Sequence, residues 1–235
     1  MWLKASKSNK DPRIVCKYFA ECGKELGGLP CLIRADRGTE NCNVESMQTT
    51  LRNQHADHRG RYNASFLNGT SPSNQRIEGW WSKFQAMGMH VWIDHMKLLE
   101  EHGIIDLTQK SHVECIRFCY MGLLQKELDT IRLLWNTHRI RLSRNPFSPA
   151  GKPDVMFHMP EVYEVTDHLK PVDEDDIDAL SSILCCDTLE CCPTHKEAFQ
   201  LIAEAEQLHF PTNLEESEEY LVTILDKFEG EYQNL

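Results

Sequence analysis

Two carboxylates, Asp36 and Glu78, have the surroundings in this chain that best suit chemistry. Asp36 closes the apolar run "LPCLIRAD" (Leu29 to Asp36), sits between Arg34 and Arg37, and is followed at once by Gly38. A carboxylate at the C-terminal end of a strand stands where open α/β sheets place their sites. Glu78 lies in "SPSNQRIEGWW" (Ser71 to Trp81), in the first turns of a helix, with Asn74 one turn before it. Two carboxylates brought together from different elements suit a hard divalent cation such as Mg2+, which takes oxygen ligands and keeps several waters. Paired ions about 4 Å apart serve phosphodiester chemistry by activating water and stabilising the leaving oxygen. Plainer readings stand beside this one: Asp36 as a surface ion pair with Arg34 or Arg37, and Glu78 as a solvated helix residue.

The elements that must position these acids can be read from the pattern. "WLKASKS" (Trp2 to Ser8) alternates and predicts a short strand. "NKDPRIVCKYFAECGKELGG" predicts a helix with Asp11 as its N-cap, Pro12 as its first residue and Gly27 and Gly28 as its stop. Its apolar face is Ile14, Tyr18, Cys22 and Leu26. With "LPCLIRAD" as the next strand, the spacing predicts a crossover that places Trp2–Ser8 in one parallel sheet with the Asp36 strand. "NVESMQTTLRNQ" predicts a short helix, and a short strand falls near Tyr62 to Leu67. From Ser73 a long helical pattern runs with Ile77, Trp81, Phe84, Val91 and Leu98 as its stripe and Gly88 as a weak point. Ser111 to Ile140 predicts another long helix. The rest is helical in pieces, with acids in the first turn of "DEDDIDALSSIL" and capping-box spacing at Thr194…Glu197 and Thr212…Glu215.

Charge divides the chain. Residues 1–150 hold 21 Lys+Arg against 15 Asp+Glu, whereas residues 151–235 hold 4 against 21. The first part can meet a polyanion and the second cannot, and the acidic part is expected as a solvated helical appendage. The shift falls in "NPFSPAGKP" (Asn145 to Pro153), whose prolines cannot continue a helix. No apolar run is long enough to span a membrane and no export signal follows Met1. The ten cysteines are therefore expected as reduced thiols of an intracellular protein.

The wording of the two acidic motifs adds to their chemistry. "RADRGTEN" followed by "NQRIEGWW" resembles the integrase core domain of the retroviral-integrase and transposase superfamily, nearest to integrase-like reading frames of transposon origin in animal genomes. "SNKDP" is similar to the opening of that domain's first core helix, "FLNGTSPSNQRIEGWW" to the loop and helix of its last acid, and "WNTHRIRLSRNPFSPAGKP" to its closing segment. The likeness covers most of residues 1–153. It implies an RNase H-like fold in which three carboxylates bind two Mg2+ or Mn2+ ions for DNA cleavage and strand transfer. Asp36 matches the second acid and Glu78 the third. The family's first acid sits on a strand upstream of anything present here, so the chain is expected to lack two strands and one ligand, and to be catalytically impaired.

The expected architecture is thus α/β: a partial RNase H-like core, with a mixed sheet, flanking helices and its first strands missing, then long helices and an acidic helical tail. The expected boundaries are 1–144 for the core-like region, 145–153 for a Pro/Gly linker and 154–235 for the tail. DNA is the expected partner and the nucleus a possible location. Arg59, Arg61, Lys83, Arg139, Arg141 and Arg144 are the candidate phosphate contacts. For the last three, complementing a helix C-terminus is an equal alternative. A homo-oligomer is compatible with the pattern, and neither a membrane nor a small-molecule cofactor is expected. Of Trp80 and Trp81, one is expected in the core and the other partly exposed. "CCDTLECCPTH" (Cys185 to His195) has poor spacing for zinc, because adjacent cysteines on a helix point apart.

Overall fold

Asp11 starts the first helix as its charge and size dictate. Its side chain accepts the Arg13 backbone N–H at 3.0 Å and Pro12 needs no N–H partner, so helix α1 runs Pro12–Leu26 and stops at Gly27 with φ of 66°. The computed structural model describes residues 2–54, 65–69, 75–142, 149–187 and 191–232. After α1 come strands β1 (Gly28–Pro30) and β2 (Ile33–Asp36), a 3-10 turn (Thr39–Asn41), α2 (Cys42–Gln54), β3 (Phe66–Gly69) and α3 (Gln75–Phe84). A π segment (Gln85–Met89) leads into α4 (His90–Glu101), followed by α5 (Lys110–Thr137), α6 (Pro153–His158) and β4 (Leu169–Pro171). Helices α7 (Glu174–Leu184), α8 (Pro193–Ala205) and α9 (Leu214–Tyr232) complete the order. The fold is mixed α/β and mainly helical. Among the described residues no helix is long and apolar enough to cross a membrane, and none of the ten cysteines is in a disulfide.

Two compact units are present. The first comprises Ser8–Trp81 and Leu133–Thr188, the second Trp2–Lys7, Ser82–Arg132 and Leu189–Leu235. In the first, α1 packs against α2 and α7. Its core is built from Cys16, Ala20, Leu29, Val44, Met47, Leu51, Phe66, Val172 and Ile177. The buried face of α1 is thus Ile14, Cys16, Ala20 and Gly23, rotated from the expected Ile14/Tyr18/Cys22 stripe toward the helices that cover it. Burial pushes the Cys16 thiol up, with Cys185 adding to the effect. Strand β1 pairs antiparallel with β4, and β2 pairs parallel with β3. Gly28 is required at the first of these pairs, because a Cβ there would stand 2.3 Å from the Lys170 carbonyl oxygen.

The expected first strand is not one. Trp2–Lys7 forms no ladder and belongs to the second unit, where side chains of α5 satisfy its backbone. Gln125 Nε2 donates to the Leu3 carbonyl (3.2 Å), Gln125 Oε1 accepts the Ala5 N–H (2.9 Å), and Arg117 donates to the Lys7 carbonyl (3.4 Å). The crossover lies one step later, as β2–α2–β3. "LPCLIRAD" also splits in two after Pro30, and the Cys31 N–H goes to the His168 carbonyl instead of continuing the strand.

The acidic segment corrects a second expectation. It is not a solvated appendage: Val172 and Ile177 are buried in the first unit, and Phe199, Ile202, Leu221, Ile224 and Phe228 in the second. Lys24 of α1 also pairs with Asp178 and Glu174 of α7. In the second unit the side chain of Glu114, 6% exposed, accepts from Arg117 (2.5 Å) and from the Cys192 N–H at the start of α8 (2.6 Å). Desolvation raises the Glu114 pKa, but the Cys192 N–H, the Cys191 thiol and Arg117 outweigh it and hold this carboxyl below its ordinary range. Capping is shifted by one residue from the expected box. Asn213 Oδ1 accepts the Glu216 N–H (2.9 Å) while the Glu216 carboxylate takes the Thr212 N–H and hydroxyl. Thr194 lies inside α8, whose N-cap is Cys192.

The long α3–α4 pattern is broken where Gly88 predicts, at φ of 114° within the π segment, a conformation L side chains rarely adopt. Its expected stripe is on the outside: Ile77, Trp81, Val91 and Leu98 are all exposed. Trp80 is buried instead, edge-on to Trp135 of α5 at 6.1 Å between centroids. If the acidic segment is part of the first core, Ile177→Ala should cost about 2–5 kcal/mol in urea unfolding. A loss below about 0.5 kcal/mol, as for a surface site, would show that α7 is dispensable.

Candidate functional site

Asp36 is the last residue of β2 and is exposed. Among the described residues it forms no ion pair with Arg34 or Arg37. Its Oδ1 instead accepts from Asn41 Nδ2 at 3.0 Å. Asn41 is the final residue of "RADRGTEN", so the motif itself contains the partner that orients Asp36. Gly38, with an ordinary φ of −71°, leaves room for the Glu40 carboxylate, which lies where a Cβ would be.

The parallel register puts Gly69, the last residue of β3, opposite Asp36. Both strands therefore end at the same edge of the pair. After residues 70–74, which are outside the described set, the chain enters α3 with Glu78 exposed in its first turn. Asn74 is outside the described residues as well. Trp80 anchors α3 by its burial, and Trp81 is 46% exposed, as expected of one core and one surface indole.

Beneath the strands, α2 supplies a positioning contact that the sequence did not signal. Gln48 is fully buried and its Nε2 donates to the Pro30 carbonyl (2.7 Å) and more weakly to the Ser65 carbonyl (3.4 Å). The Gln48 amide thus ties the end of β1 to the start of β3, and the Ser65 carbonyl also accepts the Ile33 N–H of β2 at 3.0 Å. Glu45, another residue of α2, accepts from Asn68 Nδ2 at 3.0 Å. The pairing of Asn68 with Ala35 places it beside the Asp36 strand.

Of the candidate phosphate contacts, Arg139 and Arg141 follow the end of α5 and are exposed, with an isolated bridge between Ile140 and Gly151 among them. Lys83 is exposed on α3. Arg59, Arg61 and Arg144 lie outside the described residues. The cysteine-rich stretch serves two cores: Cys185 packs on the first and Cys191 is buried in the second. Hydrogen bonds from Thr194 and His195 bring the Cys192 thiol down to about 7.

A sequence model of the integrase core domain matches residues 1–151, more than half of the chain. The chain belongs to the integrase core domain family. No curated protein and no solved structure matches it. Integrase core domains are associated with divalent metal, and the donors here suit one in kind. Asp36 and Glu78 offer the hard oxygens that Mg2+ or Mn2+ takes. They do not suit a metal pair in number: among the described residues no three Asp, Glu, His or Cys side chains form a group able to hold an ion. No step through a metal is assigned on this donor set. The scaffold beneath this integrase-type edge can be tested through Gln48. Gln48→Leu leaves the Pro30 carbonyl without its donor and should cost about 1–3 kcal/mol in denaturant unfolding. Unchanged stability would remove Gln48 from the account.

Proposed function

We propose that this chain engages DNA as an integrase core domain, with Asp36 and Glu78 in the places of the second and third metal-binding acids of an RNase H-like core. The described residues bring no third acid to these two, and on that ground the chain is proposed to be impaired in strand transfer. The observation that carries this reading is the edge shared by β2 and β3, where one strand ends in Asp36 and the other leads into the helix of Glu78. Impairment follows from charge. A paired-metal site with too few anionic ligands holds its ions weakly and does not position the nucleophile. The basic side chains Lys83, Arg139 and Arg141, with Arg59, Arg61 and Arg144, are the proposed contacts to the phosphate backbone. Each phosphate contact adds about 0.9 to the slope of log K against log salt.

A second reading, a protein-binding module of the same ancestry, draws on the exposed Ile77, Trp81, Leu133 and Leu134 in the first unit.

The test uses the full chain with labelled duplex DNA and Mg2+ or Mn2+. No nicking or joining above the Asp36→Asn background is expected. Activity that Asp36→Asn abolishes would overturn the impairment and make the chain an enzyme. DNA binding should weaken with salt and survive Glu78→Gln. In an Arg139→Ala/Arg141→Ala double variant the salt slope should fall by about 2. Absence of binding at low salt would end the DNA reading in favour of the protein module.

A further inference from the structure

The second unit contains a cavity of about 400 Å³ whose walls include Phe118 and Gly122 of α5, Gln200 and Glu204 of α8, Phe210, and Tyr220 of α9. Phe118, Phe210 and Tyr220 stand with ring centroids 5.9 to 6.2 Å apart, at interplanar angles from 31° to 83°. Phe210 is half exposed, whereas Tyr220 is 6% exposed. The Tyr220 hydroxyl has no hydrogen-bond partner among the described residues. In the same core, Tyr120 shows the usual arrangement, with its hydroxyl 3.0 Å from His95 Nε2. Burial, with smaller contributions from Cys119 and Cys115, pushes the Tyr220 phenol up to about 12, so it is an O–H donor at neutral pH. The hydroxyl is not among the fully buried polar atoms left without a partner, so it stays accessible and free to donate to a guest in the cavity that Tyr220 lines.

We propose that this cavity binds a small uncharged molecule made of an aromatic ring bearing a hydrogen-bond acceptor. The three rings offer edges and faces to a fourth, and the Tyr220 hydroxyl supplies the donor that such a guest lacks. The volume lies within the roughly 300–1,000 Å³ of small-molecule clefts. Lys196 and Glu204 on the α8 wall cancel each other's charge. The unit as a whole carries 10 Lys+Arg against 18 Asp+Glu, which disfavours a nucleic-acid polyanion here.

The experiment titrates the full chain with two probes of nearly equal size, acetophenone and ethylbenzene, followed by ligand-observed NMR. Acetophenone should bind about fivefold more tightly, the effect of one hydrogen bond, and the ratio should fall to about one in Tyr220→Phe. Because the hydroxyl has no partner to lose, Tyr220→Phe should keep the wild-type Tm. A Cβ on Gly122 would lie 3.8 Å from the Phe210 ring, so Gly122→Leu should fill the cavity and lose both probes. The proposal is overturned if neither probe binds the wild type, if the preference persists in Tyr220→Phe, or if that variant melts several degrees lower. A folded Gly122→Leu that binds as before also overturns it. Should Gly122→Leu not fold, the Tyr220→Phe ratio alone decides.

Discussion

Four register pairs between β2 and β3, from Ile33↔Phe66 to Asp36↔Gly69, determine where Asp36 stands. Parallel pairing sends both strands out of the same edge, and side chains alternate, so a slip of one residue would turn Asp36 to the opposite face. The pair is short and makes few ladder bonds of its own. It depends on the Gln48 amide between the end of β1 and the start of β3, on Phe66 in the core, and on α1 and α2 against it. The Asn41 bond then orients the Asp36 carboxylate at the end of a strand already held from below.

Local signals were well expressed in the sequence where one residue type has one physical use. Asp11-Pro12 and Gly27 bounded α1, Gly88 marked the break after α3, and Asp36 fell at a strand end. Signals that depend on distant partners were not. Trp2–Lys7 alternates like a strand, yet Gln125 and Arg117 take up its backbone groups from a residue range more than a hundred positions away. The face of α3 turned by one position because Trp135 offers Trp80 a ring to pack on, and no helical periodicity contains that information.

Charge misled in the same way. The acidic residues after position 150 describe the solvent side of α7, α8 and α9, while Ile177, Phe199, Leu221 and Ile224 on their other sides complete both cores. An amphipathic helix can be strongly charged and still indispensable, since its charged residues only have to remain in water. The candidate site was legible as two motifs, Asp36 and Glu78, and its supporting contacts at Gln48 and Asn68 were not.

The central claim is that Asp36 and Glu78 serve one cation position with too few ligands for a metal pair. Mn2+ titration of the full chain, followed by electron paramagnetic resonance, tests it most directly. The account predicts a single weak Mn2+ site that is lost in both Asp36→Asn and Glu78→Gln. Two bound Mn2+ ions in the wild type, or binding that survives either substitution, would contradict it.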